Sequence, residues 1–246
     1  MTTTEGIESI QRTARLAGFL YLLLLPLGIF GLIYVRTALV VPEDAAATAI
    51  NLAASMDIYR FSILAALLIP VVNMSVVLAL YRLLKVVNRR IALLMVILIL
   101  LGAPIAMLSE VFQLAVLTIV DGTDYLAVFD TAQLNALVAF LLGMHDDGVR
   151  IASIFWGLWL FPLGYLVFKS SFLPRILGFL LILGCFGYLI DFLIPFVFPD
   201  TAATVSQFTF IGELVFPLWL LIKGVNIEKW RELSASLPDN TKKQTA

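Results

Sequence analysis

Val149-Arg-Ile-Ala-Ser-Ile-Phe-Trp-Gly-Leu-Trp-Leu-Phe-Pro-Leu-Gly-Tyr-Leu-Val-Phe168 is followed by the short turn Lys169-Ser-Ser-Phe-Leu-Pro-Arg175, then by a second apolar run that ends at Phe198. A helix that crosses a hydrocarbon layer of ~30 Å needs ~20 mostly apolar residues. Ile151–Phe168 and Ile176–Phe198 both meet that length. The turn between them holds Lys169 and Arg175 and no acid. Cationic short loops stay on the cytoplasmic side. The stretch therefore reads as a helical hairpin in a membrane with its turn in the cytoplasm.

The rest of the chain extends that reading. Of 246 residues, 61% are hydrophobic and 13% charged, and the mean hydropathy is +1.03. Soluble domains hold about 45–50% apolar and about 25% charged residues. Here the apolar excess runs along the whole length, which excludes a soluble domain on a single anchor. Four further spans are expected: Leu16–Val35, Phe61–Tyr81, Ile91–Val120 and Val205–Ile222. The first follows Arg12 and Arg15. It is longer than the h-region of a signal peptide and lacks a small-x-small cleavage site behind it, so it is read as a retained span.

Lys and Arg set the orientation. With six spans, one side collects Arg12, Arg15, Arg82, Lys85, Arg89, Arg90, Lys169, Arg175, Lys223, Lys229, Arg231, Lys242 and Lys243. The other keeps only Arg36, Arg60 and Arg150. The expected fold is thus all-α: a polytopic integral membrane protein of six transmembrane helices, multi-pass in the cell membrane, with both termini cytoplasmic. Residues 1–15 form a polar cytoplasmic N-terminus, 16–222 a single six-helix domain, and 223–246 a polar, basic cytoplasmic tail.

Two segments resist that scheme. Tyr125–Gly143 is fairly apolar but carries Asp130, Gln133 and Asn135, and its clean core Ala136–Met144 is too short to cross. Counting it as a span would invert every later basic loop. It is expected as an amphipathic or half-inserted helix on the outer face. Pro42–Met56, with Glu43 and Asp44 in its first turn, is expected as a second such cap.

Each expected span has one proline: Pro26, Pro70, Pro104, Pro162, Pro195 and Pro217. Proline removes an N–H and clashes with the carbonyl four residues back, so these helices should bend. In lipid the freed carbonyl needs a partner. The match of Pro26-Leu27-Gly28 to Pro162-Leu163-Gly164 suggests an inverted repeat, but three residues in leucine-rich sequence carry little weight.

Ionisable groups inside spans are costly and mark sites. Glu110, Asp191 and Glu213 stand out, with Asn73 at comparable depth. Gln113 shares a helix face with Glu110, and Tyr188 shares one with Asp191. Just outside stand His145, Asp146 and Arg150; Asp146 and Arg150 are spaced to pair locally. Asn73, Glu110, Gln113, His145, Asp146, Arg150, Tyr188, Asp191 and Glu213 form the candidate polar cavity in the outer half. Three readings fit: a transporter-like pathway binding a proton, cation or small polar ligand; a metal-assisted intramembrane hydrolase; or a non-catalytic component with structural or partner roles.

The hydrolase is disfavoured because His145 is the only histidine and a catalytic zinc usually uses more. Cys185 is the single cysteine, which excludes a Cys-based metal cage. No Gly-x-Ser-x-Gly elbow, P-loop or dinucleotide fingerprint occurs. No metal or other cofactor is implied, and an enzyme is the less expected class. The partner is the lipid bilayer. A net charge of −1 argues against nucleic acid, and no oligomeric state is set.

Gly157-Leu-Trp-Leu-Phe-Pro-Leu-Gly-Tyr165, Lys169-Ser170, Phe172-Leu-Pro-Arg-Ile-Leu-Gly178 and Gly187-Tyr-Leu-Ile-Asp191 resemble the bacterial membrane family called domain of unknown function 4386. Leu80-Tyr-Arg-Leu-Leu-Lys85, Gly102-Ala-Pro104, Glu110, His145 and Gly148 are also similar to it. The likeness runs from about Ala14 to Ile222. Ser171 stands where the family is expected to have glycine. The resemblance implies a multi-pass helical membrane protein and no particular activity.

Overall fold

The computed structural model describes residues 3–198, 201 and 204–236. The end of the expected tail, with Lys242 and Lys243, lies outside the described residues. Every regular element among the described residues is helical. In chain order they are α1 (Ser9–Leu39), α2 (Ala45–Ala54), α3 (Met56–Leu84), α4 (Arg89–Asp121), α5 (Thr131–Lys169), α6 (Arg175–Val197), α7 (Ser206–Ile222) and α8 (Ile227–Ala235). The helix leading into α1 begins at Thr3. Helices α1, α3, α4, α5 and α6 are long and apolar enough to cross a membrane. Helix α7 is the apolar arm of a pair bent by 94° against α8 and adds a sixth crossing if that pair is one span.

The prolines act where their chemistry requires. Behind Pro26, α1 widens into a π-helical turn over Ile29–Tyr34 before resuming as α-helix at Val35. In α5 the regular helix is interrupted at Trp159, between Leu158 and Leu160, where Pro162 has no N–H to offer the carbonyl of Leu158 four residues back. Pro70, Pro104, Pro195 and Pro217 sit inside their helices.

The expected outer cap at Tyr125–Gly143 is not a separate element. From Thr131 it runs on as the first turns of α5, a helix of 39 residues. At 1.5 Å per residue that is about 58 Å, well beyond the ~30 Å of hydrocarbon. Asp130 starts it: its carboxylate accepts from Gln133 N–H at 2.8 Å, and Gln133 Oε1 accepts from Asp130 N–H at 3.0 Å. This reciprocal cap fixes the start, and no proline follows before Pro162. The other expected cap is α2, with Asp44 accepting from Ala47 N–H at 2.8 Å.

The chain divides into two compact units. One comprises Met1–Leu23, Val72–Gly102 and Ser153–Ala246; the other comprises Leu24–Val71 and Ala103–Ala152. In the first, the α5–α6 hairpin closes where glycine faces glycine. A Cβ on Gly178 would lie 2.5 Å from Gly164 O, and one on Gly164 would lie 2.6 Å from Gly178 O. Without a hydrophobic force between helices in lipid, such close backbone approach supplies the contact. The connecting turn is locked by Ser170, whose fully buried hydroxyl donates to Val167 O at 2.8 Å and accepts from Leu173 N–H at 3.2 Å. Ser171 has φ +57°, a left-handed position that suits glycine.

In the second unit a Cβ on Gly31 would lie 2.8 Å from Ala66 N, so α1 and α3 touch backbone to backbone. Gly148 of α5 leaves room for a side chain of α4: any Cβ there would collide with the Ser109 side chain. Val35, Leu52, Ile63, Val116, Val138 and Leu142 fill this unit's apolar core.

Candidate functional site

The second unit holds a buried polar cluster built from four helices. Glu110 and Gln113 lie one turn apart on α4, His145 and Asp146 on α5, Tyr59 on α3 and Arg36 on α1. His145 Nε2 is 3.0 Å from Glu110 Oε1 and 3.4 Å from Gln113 Nε2. The Tyr59 hydroxyl donates to Gln113 Oε1 at 2.5 Å. His145 Nδ1 is 3.5 Å from Asp146 Oδ1, and Asp146 forms an ion pair with Arg36. A protonated imidazole therefore has a carboxylate at each nitrogen. His145 and Glu110 are 2% and 3% exposed, so both charges rely on partners rather than on water.

Three atoms in this cluster are buried without a hydrogen bond: Glu110 Oε2, Arg36 Nη1 and His145 Nδ1, the last with only its 3.5 Å contact to Asp146. A buried polar atom without a partner costs about 1–3 kcal/mol. Such atoms mark where a proton, a water or a ligand atom belongs. A cavity of about 10 Å³, lined by Arg36, Tyr59, Ser62 and Gln113 among apolar side chains, has room for one water. A wider cleft of about 300 Å³ is lined by Arg36, Glu43, Asp44, Thr48 and Gly143. Arg36 lines both spaces.

The first unit holds another buried carboxylate, Glu213, which is 9% exposed. Tyr21 donates its phenol hydrogen to Glu213 Oε2 at 2.9 Å, and Tyr188 turns its phenol toward the same group. Trp159 and Phe216 flank Tyr21, with ring centroids 5.6 and 6.4 Å away. Asn73 is buried in this unit with Oδ1 unpaired.

Asp191 has a mechanical role. Its two carboxylate oxygens accept from Val205 N–H at 2.5 Å and Ser206 N–H at 3.0 Å, which anchors the start of α7. Asp191→Ala is expected to lower unfolding stability by about 1–3 kcal/mol through those two amides. Thermal unfolding of the purified variant checks it.

Of the nine expected residues, Glu110, Gln113, His145 and Asp146 meet in one unit, and Tyr188 and Glu213 meet in the other. Arg150 pairs with Asp147 at 3.3 Å. Asp146 reaches instead across to Arg36 on α1. Sequence reasoning missed Tyr21 and Tyr59. Tyr21 passes for an apolar residue within a span, and Tyr59 lies just before one. Arg36 is legible only as one of several possible partners for the buried acids. No group of three or more His, Cys, Asp or Glu side chains placed to hold a metal occurs among the described residues.

The described residues form an all-helical protein with five to six helices long and apolar enough to cross a bilayer, and with polar clusters buried among them. The chain belongs to the family described as Domain of unknown function (DUF4386), whose model matches residues 16–224. It is 33% identical over 166 residues to an uncharacterised protein of Archaeoglobus fulgidus, covering 67% of this chain and 84% of that relative. No solved structure matches it.

Proposed function

We propose a multi-pass cell-membrane protein, with six crossings and both termini cytoplasmic, in which Glu110 and His145 form a transporter-like centre that binds a proton together with a small polar ligand. One observation carries this reading: Glu110 Oε2 is buried and unpaired while Oε1 contacts a histidine. A carboxylate and an imidazole sharing a hydrogen bond can trade one proton with little movement. Arg36, on the wall of both the small cavity and the larger cleft, gives an arriving ligand a polar contact. Its ion pair with Asp146 links that contact to His145. Gln113, Asp146 and Arg150 join the proposed set in this unit. In the other unit Glu213 and its two tyrosines form a second proposed proton-holding group, with Asn73 and Asp191 as that unit's further polar residues.

The test is proton flux into vesicles holding the purified protein, read by an internal pH dye. Glu110→Gln keeps the shape but not the charge and is expected to lower flux at least about tenfold, the scale on which a positioned proton-transfer group acts. Unchanged flux in a folded Glu110→Gln protein would defeat the reading. Orientation is tested separately: a tag at the C-terminus should be reachable only after cells are permeabilised.

A further inference from the structure

We propose that the corner between α7 and α8 is a binding site for the phosphate of an anionic phospholipid headgroup. A cavity of about 410 Å³ opens there, lined by Lys223, Lys229, Ser171, Asn226, Trp219 and Phe172, among others. Among its lining residues there is no acid. Neither lysine ammonium has a hydrogen bond or ion pair among the described residues. Two unopposed cations at one polar pocket attract an anion, and phosphate offers several acceptor oxygens to their donors.

The corner is built rather than loose. Gln11 donates to Lys223 O at 3.0 Å and accepts from Val225 N–H at 3.2 Å. Gly224, at φ +67°, lies so close to Gln11 that a Cβ would collide with it. Asn226 N–H donates to Phe172 O at 3.1 Å, and Trp230 Nε1 donates to Leu83 O at 3.0 Å. The cavity walls are therefore held in place before any ligand arrives, which limits the ordering cost of binding.

The 94° bend selects a lipid over a soluble anion. If α7 crosses the bilayer, α8 lies along its surface, and the corner falls at headgroup depth. Helix α8 turns Ile227, Trp230 and Leu233 to the partly covered side and exposes Glu228, Lys229, Arg231 and Glu232, as interfacial helices do. Trp219 on the cavity wall is a residue favoured at that level. Basic pockets beside spanning helices hold acidic headgroups in this way.

The test uses the full-length protein in neutral detergent, with the thermal midpoint followed by tryptophan fluorescence during titration. Short-chain phosphatidylglycerol is expected to raise the midpoint saturably, and phosphatidylcholine is not. The Lys223→Gln/Lys229→Gln variant should keep the unliganded midpoint, because both side chains are exposed. Its affinity for phosphatidylglycerol should fall at least about tenfold, the scale of one lost charge-assisted contact. Arg90→Gln, at an exposed cation elsewhere, should change nothing. An equal response to both lipids, or an equal loss in Arg90→Gln, overturns the proposal in favour of diffuse charge attraction. Saturation by inorganic phosphate or glycerol phosphate at the lipid's own concentration, lost in the double lysine variant, overturns the lipid source and leaves a soluble phosphoester site.

Discussion

Gly178→Leu is expected to abolish recovery of folded protein. The first atom of any side chain at this position would sit 2.5 Å from Gly164 O and 2.6 Å from Phe168 N. Both are backbone atoms of the facing helix and cannot rotate away. Overpacking a tight site usually costs about 1–3 kcal/mol when side chains can yield. Here α5 and α6 would have to separate, so at least about 3 kcal/mol is expected, against a total stability of about 5–15 kcal/mol. Size-exclusion profiles after detergent extraction give the readout: an aggregated or absent peak for Gly178→Leu. Gly143→Ala is the control, because nothing lies within 4 Å of its would-be Cβ. It should be neutral or stabilising by up to about 1 kcal/mol, since alanine is the better helix former. A normal monodisperse peak for Gly178→Leu would show that the hairpin does not close on this glycine pair.

The second large effect is at the buried Glu110–His145 contact. His145→Leu removes the carboxylate's partner and leaves Glu110, 3% exposed, with neither oxygen paired. Breaking a buried ion pair from one side costs about 3–5 kcal/mol, while replacing both members with apolar residues is often near neutral. Glu110→Leu/His145→Leu is therefore expected to unfold at a higher temperature than His145→Leu, although it carries one more substitution. The coupling between the two sites should be about 1–3 kcal/mol. Strictly additive losses would mean that the two side chains do not interact. The double variant should also stay inactive in the flux assay. Restored stability without restored transport separates what the pair does for folding from what it does for function.

Those two sites differ in how far sequence alone reveals them. The hairpin was readable because its signals are local: two apolar runs of spanning length and a short cationic turn. The long apolar helices were readable for the same reason. The continuity of α5 was not. Asp130, Gln133 and Asn135 look like the end of a membrane segment, yet they cap and begin a helix that continues to Lys169. Polarity reports depth in the bilayer, and it does not report where a helix stops.

The candidate site was half legible. Glu110, Gln113 and His145 stood out because charged and amide groups are rare in apolar sequence. Their partners did not. Tyr59 supplies one hydroxyl, and its bond to Gln113 joins residues 54 positions apart. Asp146 and Arg150 are spaced to pair one turn apart along α5; in the structure Asp146 forms an ion pair with Arg36, and Arg150 forms one with Asp147. Several local geometries were open to these charges, and tertiary packing chose among them.

The widened turn at Ile29–Tyr34 ends two residues before Arg36. An α-helix advances about 100° of azimuth with each residue. Six residues at the wider pitch of i→i+5 bonding, about 80° each, carry the chain about as far round as five at α pitch. Tightening this turn with its length unchanged would swing the guanidinium about a quarter of the way round the axis and point it away from Asp146. Chains that shorten the turn by one residue as it tightens would keep the same contact with no compensating cation.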